Sequence, residues 1–272
     1  MGIILKSCLF LLLAYILIAT LAYVFQRKLQ YIPTTDRVSP DSVDLVNVRE
    51  IKLLTPDGTE LINWYTPAQT GMPTIIFFQG NAGALWHRYE RFALYQKAGL
   101  GVFFFGYRGY GGSDGSPNEK DLVADAELAL NWLNNEGVSS DKIVIVGESL
   151  GSGVSVQLAA RRPVGMVILE APFASAVEIG AKAYPWLPVH QFMIDKFESI
   201  KFIKNIKSPL VIFHGRLDRI VPLDSGLRLY QAAVEPKEFI EIEDSAHNDL
   251  ATIDMLLQQV DIIGRLSGQT LN

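Results

Sequence analysis

The sequence predicts an α/β fold with a mostly parallel central sheet and helices on both of its faces. Three observations carry this. Short, uninterrupted apolar runs of strand length recur from about residue 45 onward, and such runs suit strands buried on both faces. Stretches with helical periodicity separate them, and that alternation implies parallel strands joined by right-handed crossovers. The composition, 49% hydrophobic and 19% charged over 272 residues, can fill the large core such a sheet needs.

The first element stands apart from this rhythm. Residues Ser7 to Phe25, SCLFLLLAYILIATLAYVF, carry no charge and are long enough to span a bilayer as a helix. Lys6 precedes the run, while Arg27 and Lys28 follow it, and a margin of one basic residue assigns no orientation. Tyr23, Phe25 and Tyr31 are expected near the headgroup level. A cleaved signal peptide would have a shorter apolar run ending in an A-x-A-like site, and no such site follows here. Cys8 also comes too early to be the modified cysteine of a lipoprotein signal. Residues 1–28 are therefore expected to form an uncleaved membrane anchor, 29–45 a linker and 46–272 the folded domain.

Eight strands follow. Val48 to Thr55 and Glu60 to Thr66 read as a pair joined by the turn Pro56-Asp57-Gly58. Thr74 to Phe78 (TIIFF), Val102 to Phe105, Lys142 to Val146 (KIVIV), Val167 to Leu169, Leu210 to Phe213 (LVIF) and Phe239 to Ile242 complete the set. One intervening helix is announced by Ser116-Pro117-Asn118-Glu119, with Ser116 as cap, Pro117 at the first position and Glu119 completing a capping box. Leu122, Ala126, Ala129, Leu130 and Leu133 form its buried stripe, and Gly137 ends it. Ligands of such sheets bind at the carboxyl ends of the strands.

Composition removes several function classes. A net charge of -5 with no basic face argues against a nucleic-acid partner. The single cysteine excludes a disulfide within the chain. The histidines at 87, 190, 214 and 247 lack metal-ligand spacing, so no metal and no cofactor is expected.

The pattern G-x-S-x-G occurs twice, as GESLG over 147–151 and as GGSDG over 111–115. Only Ser149 follows a strand, KIVIV, and precedes a helix, LGSGVSVQLAARR, which is the context a nucleophile on a strained turn requires. Ser113 lies in a glycine-rich loop whose glycines read as turn formers. A serine hydroxyl needs a base held by a third group. The expected chain order, Ser then Asp or Glu then His, is met by Ser149, Asp218 in HGRLDRIVP and His247 in EDSAHND. Asp218 and His247 both follow strands, so both can converge on Ser149. Asp244 is the rival acid, but its nearness to His247 suits it better to shaping the loop, and His214 reads as structural. The oxyanion hole is expected from the amide of Leu150 and an amide of the loop Gln79-Gly80-Asn81-Ala82-Gly83, Asn81 first and Ala82 second. The plain alternative is that these glycines only form a turn.

With these residues in place, the chain resembles the α/β-hydrolase superfamily. More narrowly, it resembles the membrane-anchored Bem46-like group, related to the α/β-hydrolase domain-containing proteins 12, 13 and 17. The resemblance rests on FFQGNAG, YRGYGGSDGSPNE, GESLGSG, Pro172-Phe173, the stretch from Tyr184 to Ile200, HGRLDRIVP and AHND. It implies an α/β-hydrolase fold with an N-terminal transmembrane helix and a small lid between the sixth and seventh strands, spanning Ala171 to Lys207. It also implies serine-hydrolase chemistry on a carboxylic ester, with a lipid or acyl ester as substrate. Phe173, Tyr184, Trp186, Leu187, Phe192 and Met193 are candidates to line an acyl pocket, or simply to pack the lid onto the body. A serine peptidase and a thioesterase, including one that deacylates proteins, share this machinery, and a non-catalytic scaffold is the reading from another class. Two positions depart from the family pattern. Gln79 stands where His is usual, and Gly106 where Asp is common. The Gln79 amide is expected to supply supporting hydrogen bonds.

Overall fold

The computed structural model describes residues 2–267; Met1 of the expected anchor and residues 268–272 of the expected domain lie outside the described residues. The central strands are β1 (Arg49–Leu54), β2 (Glu60–Thr66), β3 (Thr74–Phe78), β4 (Gly101–Phe105), β5 (Ile143–Glu148), β6 (Met166–Glu170), β7 (Leu210–Gly215) and β8 (Lys237–Ile242). They form one sheet in the order β8-β7-β6-β5-β3-β4-β2-β1. The β1/β2 and β2/β4 pairs are antiparallel and the remaining neighbours parallel, so β2 alone runs against the rest.

Period-two alternation explains the uninterrupted apolar runs. Ile76 and Phe78 of β3, with Ile143 and Ile145 of β5, enter the core on one face. Ile75 and Phe77, with Val144 and Val146, enter it on the other. Both faces are covered, so both sets must be apolar. Helices α3 (Glu119–Asn135), α4 (Leu150–Ala159) and α8 (Leu223–Ala232) supply the first cluster, while α2 (Tyr89–Lys97) and α9 (Ile253–Gly264) supply the second.

The start of α3 differs from its expected position. Asn118, not Ser116, is the cap, and its side chain accepts from the Asp121 amide at 3.0 Å. Ser116 and Pro117 instead pack against the turn at Gly109, where an added Cβ would meet Pro117 Cδ at 3.1 Å. That packing delays helix entry by two residues. The stripe Leu122, Ala126, Ala129, Leu130 and Leu133 is fully buried, and Gly137 closes the helix at φ 91°.

Between β6 and β7 the chain makes three short helices, α5 (Ala176–Ala183), α6 (Val189–Phe192) and α7 (Ser199–Phe202). The N-terminal helix α1 (Gly2–Gln30) is long and apolar enough to cross a membrane and has no buried residue. Its second half is fastened to the β6–β7 insertion. Tyr15 OH donates to the Trp186 carbonyl at 3.0 Å, Gln26 accepts from the Ile194 amide at 2.7 Å, and Arg27 pairs with Asp195 at 2.8 Å. Tyr31, just past the helix, is buried in the core and its hydroxyl donates to Asp195 at 3.1 Å. Beyond it, Ile32–Pro33 pairs with Ala82–Gly83 in a two-stranded bridge.

Candidate active site

The sheet order reverses at β3, which lies between β4 and β5, and the crevice of such a switch point opens at the carboxyl ends of β3 and β5. Ser149 directly follows β5 there and immediately precedes α4. Its φ of 50° and ψ of -112° are unusual for a residue with a side chain, a strain of about 1–3 kcal/mol that the surroundings must hold. They do so tightly. The Ser149 amide donates to the Glu170 carbonyl at 2.9 Å, and its carbonyl accepts from Ser152 N and Oγ. The flanking glycines are sterically required. A Cβ on Gly147 would overlap Ser155 Oγ and the Gly151 carbonyl, and one on Gly151 would overlap the Phe78 carbonyl.

Asp218 and His247 reach this turn from the loops after β7 and β8. His247 Nε2 lies 2.9 Å from Ser149 Oγ, and His247 Nδ1 lies 2.6 Å from Asp218 Oδ2. Asp218 Oδ1 accepts from the amides of Ile220 and Val221 at 2.9 and 2.8 Å, so the carboxylate is aimed by its own turn. Nδ1–H donation to Asp218 leaves Nε2 free to accept the serine proton. His247 is thus bonded to Asp218 rather than to the exposed Asp244. His214 is buried beneath Asp218, with Nε2 3.0 Å from the Val221 carbonyl and 3.7 Å from Asp218 Oδ2. Burial holds its pKa below the ordinary value.

Ser113 has another duty. Its hydroxyl accepts from the Ile62 amide of β2 at 2.8 Å, in the interior. Gly106 also answers to β2, since a Cβ there would overlap the Ile62 carbonyl.

The loop after β3 closes over Ser149. A Cβ on Gly80 would stand 3.6 Å from Ser149 Cβ. The expectation for Gln79 is corrected, because its side-chain amide is buried and makes no hydrogen bond among the described residues. Tyrosines fix the loop instead. Tyr107 OH donates to the Gln79 carbonyl at 2.9 Å and Tyr110 OH to the Asn81 carbonyl at 2.8 Å. The Asn81 side chain donates to the Gln30 carbonyl at 3.0 Å. Asn81, Ala82 and Leu150 line one cavity with Ser149 and His247. The Leu150 amide is at the first position of α4, where no helical acceptor exists.

Two ion pairs beside the elbow escaped the sequence reading. Arg88 holds Glu148 through two contacts at 2.6 and 2.9 Å and donates to the Ala82 carbonyl at 3.3 Å, so it ties the β3 loop to the elbow. Burial pushes the Glu148 carboxyl up, but Arg88 outweighs it and holds the group below its ordinary value. Arg91 holds Glu170 at 2.5 and 2.8 Å, with Gln259 donating to the same carboxylate at 2.7 Å. That pair sits directly behind the carbonyl that receives the Ser149 amide. A signal existed in the Glu within GESLG, in the Glu ending β6, and in arginines spaced i, i+3 at α2. None of these names its partner.

The cavity measures about 1620 Å³. Phe173, Tyr184, Leu187, Phe192 and Met193 line it, as expected positions. Trp186 does not. The residue is 52% exposed, and its carbonyl accepts from Tyr15.

A family model described as "alpha/beta hydrolase fold" matches residues 73–199. An uncharacterized protein of Mycobacterium tuberculosis is 39% identical over 84% of this chain and 83% of its own length. The α/β-hydrolase domain-containing protein WAV2 of Arabidopsis thaliana is 32% identical over 84% and 83%. The human α/β-hydrolase domain-containing protein 17B is 33% identical over 69% and 64%. Among solved structures, a Pyrococcus furiosus esterase superposes with a TM-score of 0.70 at 18% identity, covering 89% of this chain and 97% of its own. That likeness is one of fold.

Proposed function

The chain belongs to the α/β-hydrolase family, and from that premise we propose that it is a membrane-anchored serine hydrolase of carboxylic esters. The observation that carries the reading is the hydrogen-bonded sequence Ser149–His247–Asp218, at 2.9 and 2.6 Å. Ser149 Oγ attacks the ester carbonyl as His247 Nε2 takes its proton, and Asp218 stabilises the imidazolium. The amides of Leu150 and Asn81, with Ala82 as the alternative to Asn81, face the developing oxyanion. Collapse of the tetrahedral intermediate expels the alcohol, which takes the proton from His247. Water, deprotonated by His247, then attacks the acyl-enzyme and releases the acid and Ser149.

Anchoring through residues 1–28, ahead of a hydrolase domain over 46–272, is supported by α1 itself. Cleavage as a signal peptide would discard the bonds of Tyr15, Gln26 and Arg27 to the insertion. The insertion then acts as a lid. Phe173, Tyr184 and Leu187 give an apolar lining suited to the acyl side of the ester.

A turnover panel on the full chain tests the reaction class. Hydrolysis of acyl esters above matched thioesters and aminoacyl amides is the expected result. Activity confined to the amides contradicts the ester reading.

A further inference from the structure

The cavity that holds Ser149 is not enclosed by the folded domain alone. Tyr15, Ile16, Ala19, Thr20 and Tyr23 of α1 line it as well. Tyr15, Ala19 and Tyr23 recur at i, i+4 and therefore share one face of the helix. From Tyr15 to Gln30, both lining residues, that face extends about 22 Å at 1.5 Å per residue. One leaflet of a bilayer is about 15 Å deep in hydrocarbon. We propose that α1 is a wall of the substrate site, and that the acyl chain of a membrane-resident ester lies between this helix face and the lid, reaching Ser149 laterally from the bilayer. The proposal rests on the hydrolase reading and names the site's occupant.

The lid's own chemistry supports that depth. Tyr15 lies within the uncharged run 7–25, so the lid segment bonded to it sits among acyl chains when α1 spans the membrane. Backbone groups at such depth must find partners within the protein. The lid meets this demand through α1. The Trp186 carbonyl takes the Tyr15 hydroxyl, and the Ile194 amide and Phe192 carbonyl take the two ends of the Gln26 amide at 2.7 and 3.4 Å. Trp186 and Ile194 of the same segment are about half exposed, a cost in water that disappears in lipid. Small residues line both walls of the groove, Ala19 and Thr20 on α1 and Ala183 on the lid. At its headgroup end the groove is latched by Arg27 to Asp195, whose side chain is buried.

The cavity is also lined by Leu94 of α2 and Leu256 of α9, and this makes the proposal testable. The full chain in phosphatidylcholine nanodiscs is treated with a long-chain alkyl fluorophosphonate bearing a terminal diazirine. Ser149 Oγ displaces fluoride to form the phosphonyl adduct, and irradiation then marks whatever lies at the chain end. Crosslinks on residues 15–23 or 180–193 are expected. A Ser149 adduct whose crosslinks fall on Leu94 or Leu256, or on bulk lipid alone, overturns the proposal while leaving the hydrolase reading intact. Absence of any Ser149 adduct overturns both. As a second measurement, Ala19→Trp fills the groove without touching the triad. The ratio of long-chain to short-chain ester kcat/KM is expected to fall about tenfold or more, the burial lost by some two methylenes. This ratio is taken within each protein, so it is independent of how much folds. A ratio within about twofold of the parent's contradicts the groove.

Discussion

The floor and the roof of the cavity are built on different principles. The floor is the elbow with its supports. Gly147 and Gly151 admit no Cβ, Ser149 is fixed at both backbone atoms, and the neighbouring carboxylates are each gripped by an arginine. The roof is α1 with the lid. Its contacts join residues more than 160 positions apart, and its large side chains remain half exposed. The contrast separates two requirements. The proposed acyl transfer needs atoms held to a fraction of an ångström, which strand ends supply. The proposed acyl-chain site needs an apolar wall, which a helix and an insertion supply without fine positioning.

Substitutions sharpen this contrast in order of expected effect. Asp218→Asn leaves the floor's shape but deprives His247 of the acceptor at Nδ1, so kcat should fall by about 10⁴ with an unchanged circular dichroism spectrum. Arg91→Met strands the buried Glu170 carboxylate beneath the elbow. A loss of about 3–5 kcal/mol in urea-induced unfolding is expected, and adding Glu170→Gln should return part of it. Arg228→Ala breaks an exposed pair with Glu178 and Asp224 at the molecular surface and should cost at most about 1 kcal/mol in the same assay. A result as large as that for Arg91 would erase the distinction between buried and surface pairs here.

The floor also carries a pH dependence. His214 is buried, and its folded pKa lies below its ordinary 6.5. The unfolded chain therefore binds that proton more readily. The stability this group contributes is complete above 6.5 and is lost as pH falls from there toward the lowered value. Thermal melts should show Tm declining as pH falls below 6.5, with a shallower decline in His214→Gln. An equal slope in the two proteins would assign the dependence to other groups.

Legibility in the sequence follows the same division. Strands β3 to β7 announced themselves because burial on both faces forces a continuous apolar run, and the observed strands differ by a residue or two at their ends. The juxtaposition of Ser149, Asp218 and His247, the proposed triad, was legible because each lies past a strand end, where the topology brings them within hydrogen-bond distance. What failed depended on tertiary partners. Asn118 caps α3 because Pro117 is engaged at Gly109. The Gln79 amide makes no hydrogen bond among the described residues, and Tyr107 and Tyr110 hold its loop through backbone carbonyls. Trp186 lies outside the cavity lining, its carbonyl bonded to Tyr15. Nothing local to those residues names such partners.

The most direct test of the serine assignment is active-site labelling. The full chain in membranes is treated with a fluorescent fluorophosphonate beside Ser149→Ala and Ser113→Ala. Labelling of the parent and of Ser113→Ala, with loss in Ser149→Ala, is the expected result. Labelling that persists in Ser149→Ala, or no labelling of the folded parent protein, contradicts an activated serine at GESLG.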